Sequence, residues 1–353
     1  MYRFLAAAFI PLIFAAALRA DEPVTGKNVQ PVTDNKKDEP AIASFSLDKA
    51  VHFLDSAALT WTQKQNCFTC HTNYAFLYAR PHVSGSAPAH AEIRKSLEEL
   101  ITKRWTDVGW RWDAEVVATA AALAYNDAHT TNKLHPLTYF ALERMWTVQK
   151  KDGGFSWLKC NWPPMENDDH YGATLAAIAT GVAPGGYAKS DAAKAGLDGI
   201  RKWLANNPPQ NLHHKAMILW ASTYLDGFAT DEARKATIKE LTAAQLPDGG
   251  WSAASLGSGT WKRADKLEQD AKTSDGYGTG FVVFVLRRAG VPANEATVHK
   301  GVAWLKGNQR ESGRWFTRSL NRDNKHYLTH AGTAFAVMAL AACEENGTVV
   351  GAR

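Results

Sequence analysis

From residue 45 onward, apolar residues recur at helical spacing almost without interruption, and the helical runs are of two kinds. One kind is amphipathic and charged, as in Ile93-Arg94-Lys95-Ser96-Leu97-Glu98-Glu99-Leu100. The other is apolar nearly all round, as in Phe281-Val282-Val283-Phe284-Val285-Leu286. A helix apolar on every face belongs inside a core, whereas an amphipathic one lies between core and solvent. The amphipathic runs cover about 46–64, 88–104, 134–149, 190–206, 230–246 and 294–309. The apolar runs cover about 73–82, 113–126, 170–182, 212–226, 276–289 and 330–344. The two kinds alternate. Six buried and six amphipathic helices in alternation predict an all-α (α/α)6 barrel, a toroid of six hairpins with inner and outer helix rings.

Three outer runs end in one short signal: Gln149-Lys150-Lys151-Asp152-Gly153-Gly154-Phe155, Gln245-Leu246-Pro247-Asp248-Gly249-Gly250-Trp251 and Gln309-Arg310-Glu311-Ser312-Gly313-Arg314-Trp315. Helix ends carry unpaired carbonyls, so each Gln amide is expected to cap them. The Gly permits a tight turn, and the aromatic packs on the neighbouring repeat. These residues are read as structural. The links that follow them are long, about 20 to 30 residues, while inner-to-outer links such as Gly227 to Thr230 are short. All the long links emerge where the inner helices begin, which makes that mouth the functional face.

Composition then sets the boundaries. At 353 residues and 45% hydrophobic content, the chain can bury a large core. Residues 1–20 read as a secretory signal: Arg3, an apolar run from Phe4 to Leu18, and Leu18-Arg19-Ala20 before the cleavage point. That implies a periplasmic or secreted protein. Residues 21–43, rich in Pro, Asp, Lys and Asn, read as a disordered linker. The toroid domain is expected over 44–346, with a flexible tail at 347–353. The net charge of +5 is diffuse, without the basic stripe that nucleic acid would require.

The chemistry concentrates in Cys67-Phe68-Thr69-Cys70-His71, between the first outer and first inner runs. In an exported chain this pentapeptide reads as a c-type haem attachment site. Cys67 and Cys70 would hold the porphyrin by thioethers, and His71 would be the proximal iron ligand. Two alternatives stay open: a disulfide between the two cysteines, or a zinc site. Ring closure should bring the sixth inner helix beside the first, placing His330 near His71 as a distal haem ligand or a further zinc ligand. His170, His326 and Met165 are rival axial ligands. Around the same mouth the inner runs begin with Asp113, Asp169, His213, His214, Asp275 and His330. Six converging helix N-termini favour anions, so a hydrophobic small molecule with an acidic head would suit the barrel, and an isoprenoid would fit. Ser252 to Thr273 is expected to act as a lid.

The Gln-to-aromatic repeat resembles the QW motif of squalene–hopene and oxidosqualene cyclases, and a similar toroid is used by protein prenyltransferase β subunits. The resemblance covers about residues 45 to 345. It implies, for a cyclase, two toroids and an Asp-x-Asp-Asp acid motif. Here one toroid is expected, and Asp113-Ala114-Glu115 and Asp168-Asp169-His170 only approach the motif. For a prenyltransferase it implies zinc held by Asp-x-Cys and a His. Asp275-Gly276-Tyr277 has Tyr in place of Cys, and His330 matches the His, so that zinc here would draw on Cys67, Cys70, Asp275 and His330. Three functions follow as expectations. The first is an exported toroid with haem c at its mouth, a hydrophobic ligand in the barrel and an electron-transfer partner or peripheral membrane contact. The second is a terpenoid cyclase or zinc-dependent prenyltransferase-like enzyme using Asp113, Asp169 and Asp275. The third is a non-catalytic scaffold with a CxxC disulfide.

Overall fold

The computed structural model describes residues 22–65, 68–83, 87–105 and 111–344. The expected leader, Cys67 and the tail at 347–353 lie outside the described residues. Outer α1 (Leu47–Gln65) is followed by an inner segment in three pieces. These are a π-helical turn (Cys70–Tyr74), the short α2 (Ala75–Ala79) and a 3-10 turn (Arg80–His82). Then come α3 (Pro88–Arg104) and α4 (Trp112–His129), α5 (Pro136–Thr147) and α6 (Asp169–Val182), α7 (Asp191–Asn206) and α8 (Leu212–Ala221). Outer α9 (Asp231–Ala243) leads through the four-residue α10 (Ala253–Leu256) to inner α11 (Gly276–Arg288). Outer α12 (Ala296–Asn308) and inner α13 (Leu328–Glu344) complete the six pairs. Each inner helix packs on the next, from α2 through α4, α6, α8 and α11 to α13, and α13 returns to α2. The inner ring is closed.

Burial follows the hydrophobic pattern. Along α11 every residue from Gly276 to Arg287 is buried, whereas the outer α9 buries only Thr237 and Leu241. The barrel axis is packed with rings. Trp220 meets Phe284 at 5.1 Å and Phe335 at 6.2 Å between centroids, and Phe281 meets Tyr277, Phe335 and His213 at 5.5, 5.2 and 4.7 Å. Each such side chain contributes roughly 2–3 kcal/mol by leaving water. These rings pack against one another along the barrel axis.

The Gln repeat does something other than the expected capping. Gln149 Nε2 donates to Gly153 O (2.8 Å) in the turn that follows it and to Gly196 O (2.9 Å) on α7. Gln245 Nε2 donates to Gly249 O (2.8 Å) and to Thr297 O (2.8 Å) on α12. Gln309 Nε2 donates to Gly313 O (2.9 Å) and Ser46 O (2.8 Å), and its Oε1 accepts from Ser46 N (2.8 Å). Each amide thus staples the end of one outer helix to the beginning of the next, and the last staple closes the ring onto α1. Gly153, Gly249 and Gly313 all adopt φ between 91° and 93°. A Cβ on Gly313 would lie 2.1 Å from Lys49 O, so both conformation and space require glycine there.

Residues 22–43 are not the free linker their composition suggests. Arg314, almost wholly buried, pairs with Glu39 and donates to Thr33 O (2.7 Å), Asp34 O (2.8 Å) and Asn35 Oδ1 (3.0 Å). Ile42 N donates to Gln309 O (2.9 Å), and Ala41 bridges to Arg310. Polar side-chain and backbone bonds hold this strap where apolar burial alone would not. The expected lid is also pinned. Arg263, its side chain fully buried, binds Ser319 O, Asp265 and Asp323, and Gln269 Nε2 donates to Leu320 O (2.9 Å).

Candidate functional site

The closed ring brings the first and sixth inner helices together at the mouth, as ring geometry requires. His71 and His330 stand 6.4 Å apart between ring centroids, with the hydroxyl of Thr72 between them. Thr72 Oγ1 lies 2.8 Å from His71 Nδ1 and 2.9 Å from His330 Nδ1. The direction of this chain of bonds can be deduced. Arg314 donates to Asn35 Oδ1, which turns the Asn35 amide nitrogen toward His330 Nε2 at 3.3 Å. His330 Nε2 therefore accepts, and its Nδ1–H donates to Thr72. The Thr72 hydroxyl is left to donate to His71 Nδ1. Both nitrogens of His330 are engaged, so it supports His71 and has no free lone pair for a metal.

His71 Nε2 is the ring nitrogen with no hydrogen bond among the described residues. The imidazole stacks on Tyr327 (5.4 Å, 7°) and meets the edge of Trp61 at 5.0 Å. It lines a small cavity of about 20 Å³ with Trp162, Met165, Glu166 and Tyr327. Burial holds His71 neutral, with its pKa lowered to about 4, and His330 to about 3. The neighbouring Cys70 is buried, and burial aided by the Glu166 carboxylate pushes its thiol well up. Such a thiol is not a standing nucleophile. The π-helical turn at Cys70–Tyr74 is a rare geometry that occurs mostly where helices serve a site.

The three carboxylates expected to be catalytic are not brought together. Asp275 caps α11 by accepting from Gly278 N (2.9 Å), and its other oxygen accepts from Ala253 N (2.7 Å). Burial pushes its pKa up to about 7 against these donors. Asp169 accepts from Trp157 N (3.0 Å) and binds Lys159 (3.3 Å). In the last repeat the same place is taken by Thr329, whose hydroxyl accepts from Thr317 N (2.9 Å). The donor is each time two residues beyond the repeat's aromatic, so the position demands an acceptor that ties loop to inner helix. A hydroxyl serves there as well as a carboxylate. Asp113 faces the hydroxyl and amide of Ser156, and burial raises its pKa.

Of the other expected ligands, His170 stacks on His214 (4.1 Å, 2°) with neither buried ring nitrogen hydrogen-bonded among the described residues, and His326 Nδ1 accepts from Ser319 N (3.0 Å). His213 Nε2 bonds Tyr277 OH at 2.9 Å, and His214 Nε2 lies 3.2 Å from Asp168. Among the described residues no group of three or more His, Cys, Asp or Glu side chains is placed to hold a metal ion. Sequence reasoning missed Thr72, Asn35 and Arg314. Arg314 did leave a signal, because it stands where the other two repeats have Gly154 and Gly250. A Cβ at those glycines would strike Trp203 or Ser274, whereas the third repeat leaves room for a long side chain that reaches the strap.

No protein-family model and no curated protein matches the chain. Among solved structures it is similar to ent-copalyl diphosphate synthase from Streptomyces platensis, with 16% identity and a TM-score of 0.48, over 83% of this chain and 50% of that one. The chain thus spans about half the length of that structure. A likeness of that degree carries no argument about chemistry, and the toroid described above stands on its own helices.

Proposed function

We propose that this chain is an exported haem c protein in which the closed toroid is a scaffold and the chemistry sits at its mouth. Cys67 and Cys70 would hold the porphyrin by thioethers, and His71 would bind the iron through Nε2. The observation that carries this reading is the state of His71: Nδ1 is bonded to Thr72 and Nε2 is directed to no protein partner among the described residues. A metal-ligating histidine ordinarily donates its second N–H to a fixed acceptor, so metal binding would reverse the Thr72–His71 bond. With Nε2 on a metal, Nδ1–H would donate to Thr72 Oγ1, which has lone pairs for both histidines. Met165 lines the same cavity as His71 and is better placed than His330 to be a second ligand.

The donor set fits haem, but the space beside it does not in this closed arrangement. A cavity of about 20 Å³ falls far below the roughly 300–1,000 Å³ of ordinary ligand pockets. Seating a porphyrin requires the Trp162–Glu166 hairpin to stand further from Tyr327 than it does here. A bound haem c would supply one-electron redox chemistry. This chain's own residues would orient the ligating imidazole and shield it with Trp61 and Tyr327. Terpenoid chemistry has less support, because Asp169 and Asp275 are engaged by backbone amides.

The test is periplasmic expression with haem maturation factors, followed by an absorption spectrum and intact mass. The expected result is a Soret band and a mass gain of one haem, with two-thioether attachment lost in Cys67→Ala while helical content is retained. Apo mass with bound zinc, or loss of two hydrogens as a disulfide forms, would sink the proposal.

A further inference from the structure

Between α7 and α9 lies a groove of about 480 Å³, floored on α8 by the half-buried Ile218 and the buried Leu219. The reason lies in the local chain. Inner helix α8 stops at Ala221, before the predicted end at 226, and turns replace its last part. The groove is lined by Leu204 of α7, Ile218 and Leu219 of α8, Phe228, and Ala233 and Ala236 of α9. Small residues on α9 keep it open. Its volume lies within the range of small-molecule pockets, unlike the cavity beside His71.

The charges around this groove are unequally distributed. Arg201 donates to Asp226 O (2.9 Å) and Arg234 to Ser222 O (2.7 Å), so both guanidiniums stand at the end where α8 stops. Arg201 also lies over the Phe228 ring at 5.0 Å, holding its charge against the apolar floor. Its carboxylate partner, Asp198 at 2.7 Å, is largely exposed and screened by water. Arg234 binds only the neutral carbonyl and hydroxyl of Ser222 among the described residues. Lys215 and Glu240, also on the groove, pair with each other at 2.7 Å and cancel. An apolar trough with excess positive charge at one end matches an amphiphile with an anionic head.

We propose that this groove binds a single medium- or long-chain carboxylate, its apolar tail along α8 and its carboxylate between Arg201 and Arg234. Guanidinium and carboxylate make charge-assisted, often bidentate bonds, so the head would be selected as well as the tail. The site is separate from the Cys67–His71 mouth and does not depend on haem.

Calorimetric titration of the full chain with decanoate and with 1-decanol tests it. Decanoate is expected to bind saturably at one per chain. Arg234→Gln should weaken decanoate about tenfold and leave 1-decanol unchanged. Ala236→Trp, at an exposed position facing the groove, should abolish binding of both without touching the core. Absence of saturable decanoate binding, or binding that survives Ala236→Trp, overturns the site. Equal response of decanoate and decanol to Arg234→Gln overturns the head-group assignment. Association only with phosphatidylglycerol vesicles would mean a membrane-facing surface instead and would also overturn the proposal.

Discussion

Replacing Gln309 by Met preserves volume and removes both amide atoms from the point where the ring closes. Three bonds disappear: those to Ser46 O, Gly313 O and Ser46 N, at 2.8, 2.9 and 2.8 Å. At about 1 kcal/mol each, the loss is about 3 kcal/mol, since Ser46 is only half-buried and water can reach its orphaned groups. Gln149→Met is the internal control. It removes two bonds from a half-buried side chain and should cost about 2 kcal/mol. The larger figure is a substantial part of the roughly 5–15 kcal/mol that holds a domain folded. Urea denaturation followed by far-UV circular dichroism measures both. Hydrogen exchange adds a spatial readout: in Gln309→Met, protection should fall first in α1 and the 33–42 strap, which the same loop holds. If Gln309→Met costs under 1 kcal/mol, or no more than Gln149→Met, then the amides do not close the ring.

Gly313→Ala should destabilise by about 3 kcal/mol or more, because its φ of +93° is compounded by the clash with Lys49 O. Gly259→Ala, with φ +78° and open space around it, should cost only about 1 kcal/mol, so a thermal melt that ranks the two equally refutes the packing argument. The pH response follows from histidines that burial keeps neutral. His71, His82 and His90 are lowered to about 4, and His129, His170, His213 and His330 to about 3. Between roughly pH 6.5 and 4 the unfolded chain binds protons that the folded chain does not, so stability rises with pH there and is lost on acidification. Asp275, raised to about 7, opposes this, as do the carboxyls of Asp55, Asp113, Glu115 and Glu166, which burial also raises; the seven histidines outnumber them. A urea midpoint that does not fall between pH 7 and 5 would contradict the burial of these rings. Thr72→Val keeps the side-chain shape, strands His330 Nδ1 and leaves His71 Nδ1 only Thr69 Oγ1 at 3.4 Å, costing about 1–3 kcal/mol. In the haem-free wild type, nitrogen NMR should find His330 protonated on Nδ1 and His71 on Nε2; the reverse assignment refutes the deduced bond direction.

Much of the fold was legible because the two helix classes differ in how many faces are apolar, and that difference survives in the sequence. The predicted outer runs at 88–104 and 190–206 meet α3 (Pro88–Arg104) and α7 (Asp191–Asn206) almost residue for residue. Prediction failed where polar bonds decided the outcome. The 22–43 strap has the composition of a disordered segment, yet a single buried Arg314 donates to five of its backbone and side-chain acceptors. No local rule could find those partners, nearly 300 residues away. The apparent catalytic carboxylates illustrate the converse error. Asp169 and Asp275 look like acids at a mouth, and only the equivalence with Thr329 reveals them as acceptors for a loop amide.

The same comparison shows how a site can arise within a repeat. In three of the later repeats, those after α5, α9 and α12, the link between outer and inner helix carries a Gln staple, a left-handed glycine and a buried aromatic, all serving packing. In the first repeat that place holds Cys67-Phe68-Thr69-Cys70-His71, and its inner helix begins with a π turn instead of a regular α turn. The stapling lost there is supplied from elsewhere. Asn73 Nδ2 donates to Ala58 O (3.1 Å) and Thr62 Oγ1 (2.8 Å) of α1, and the Arg314–Asn35–His330–Thr72 chain ties the turn to the strap. The buried Arg314, which stands where the other two Gln signals have glycine, thus supports the link that carries the pentapeptide. The network around His71 thus ties together α1, the strap and the last repeat at the link that holds the pentapeptide, and it fixes the orientation of the His71 ring.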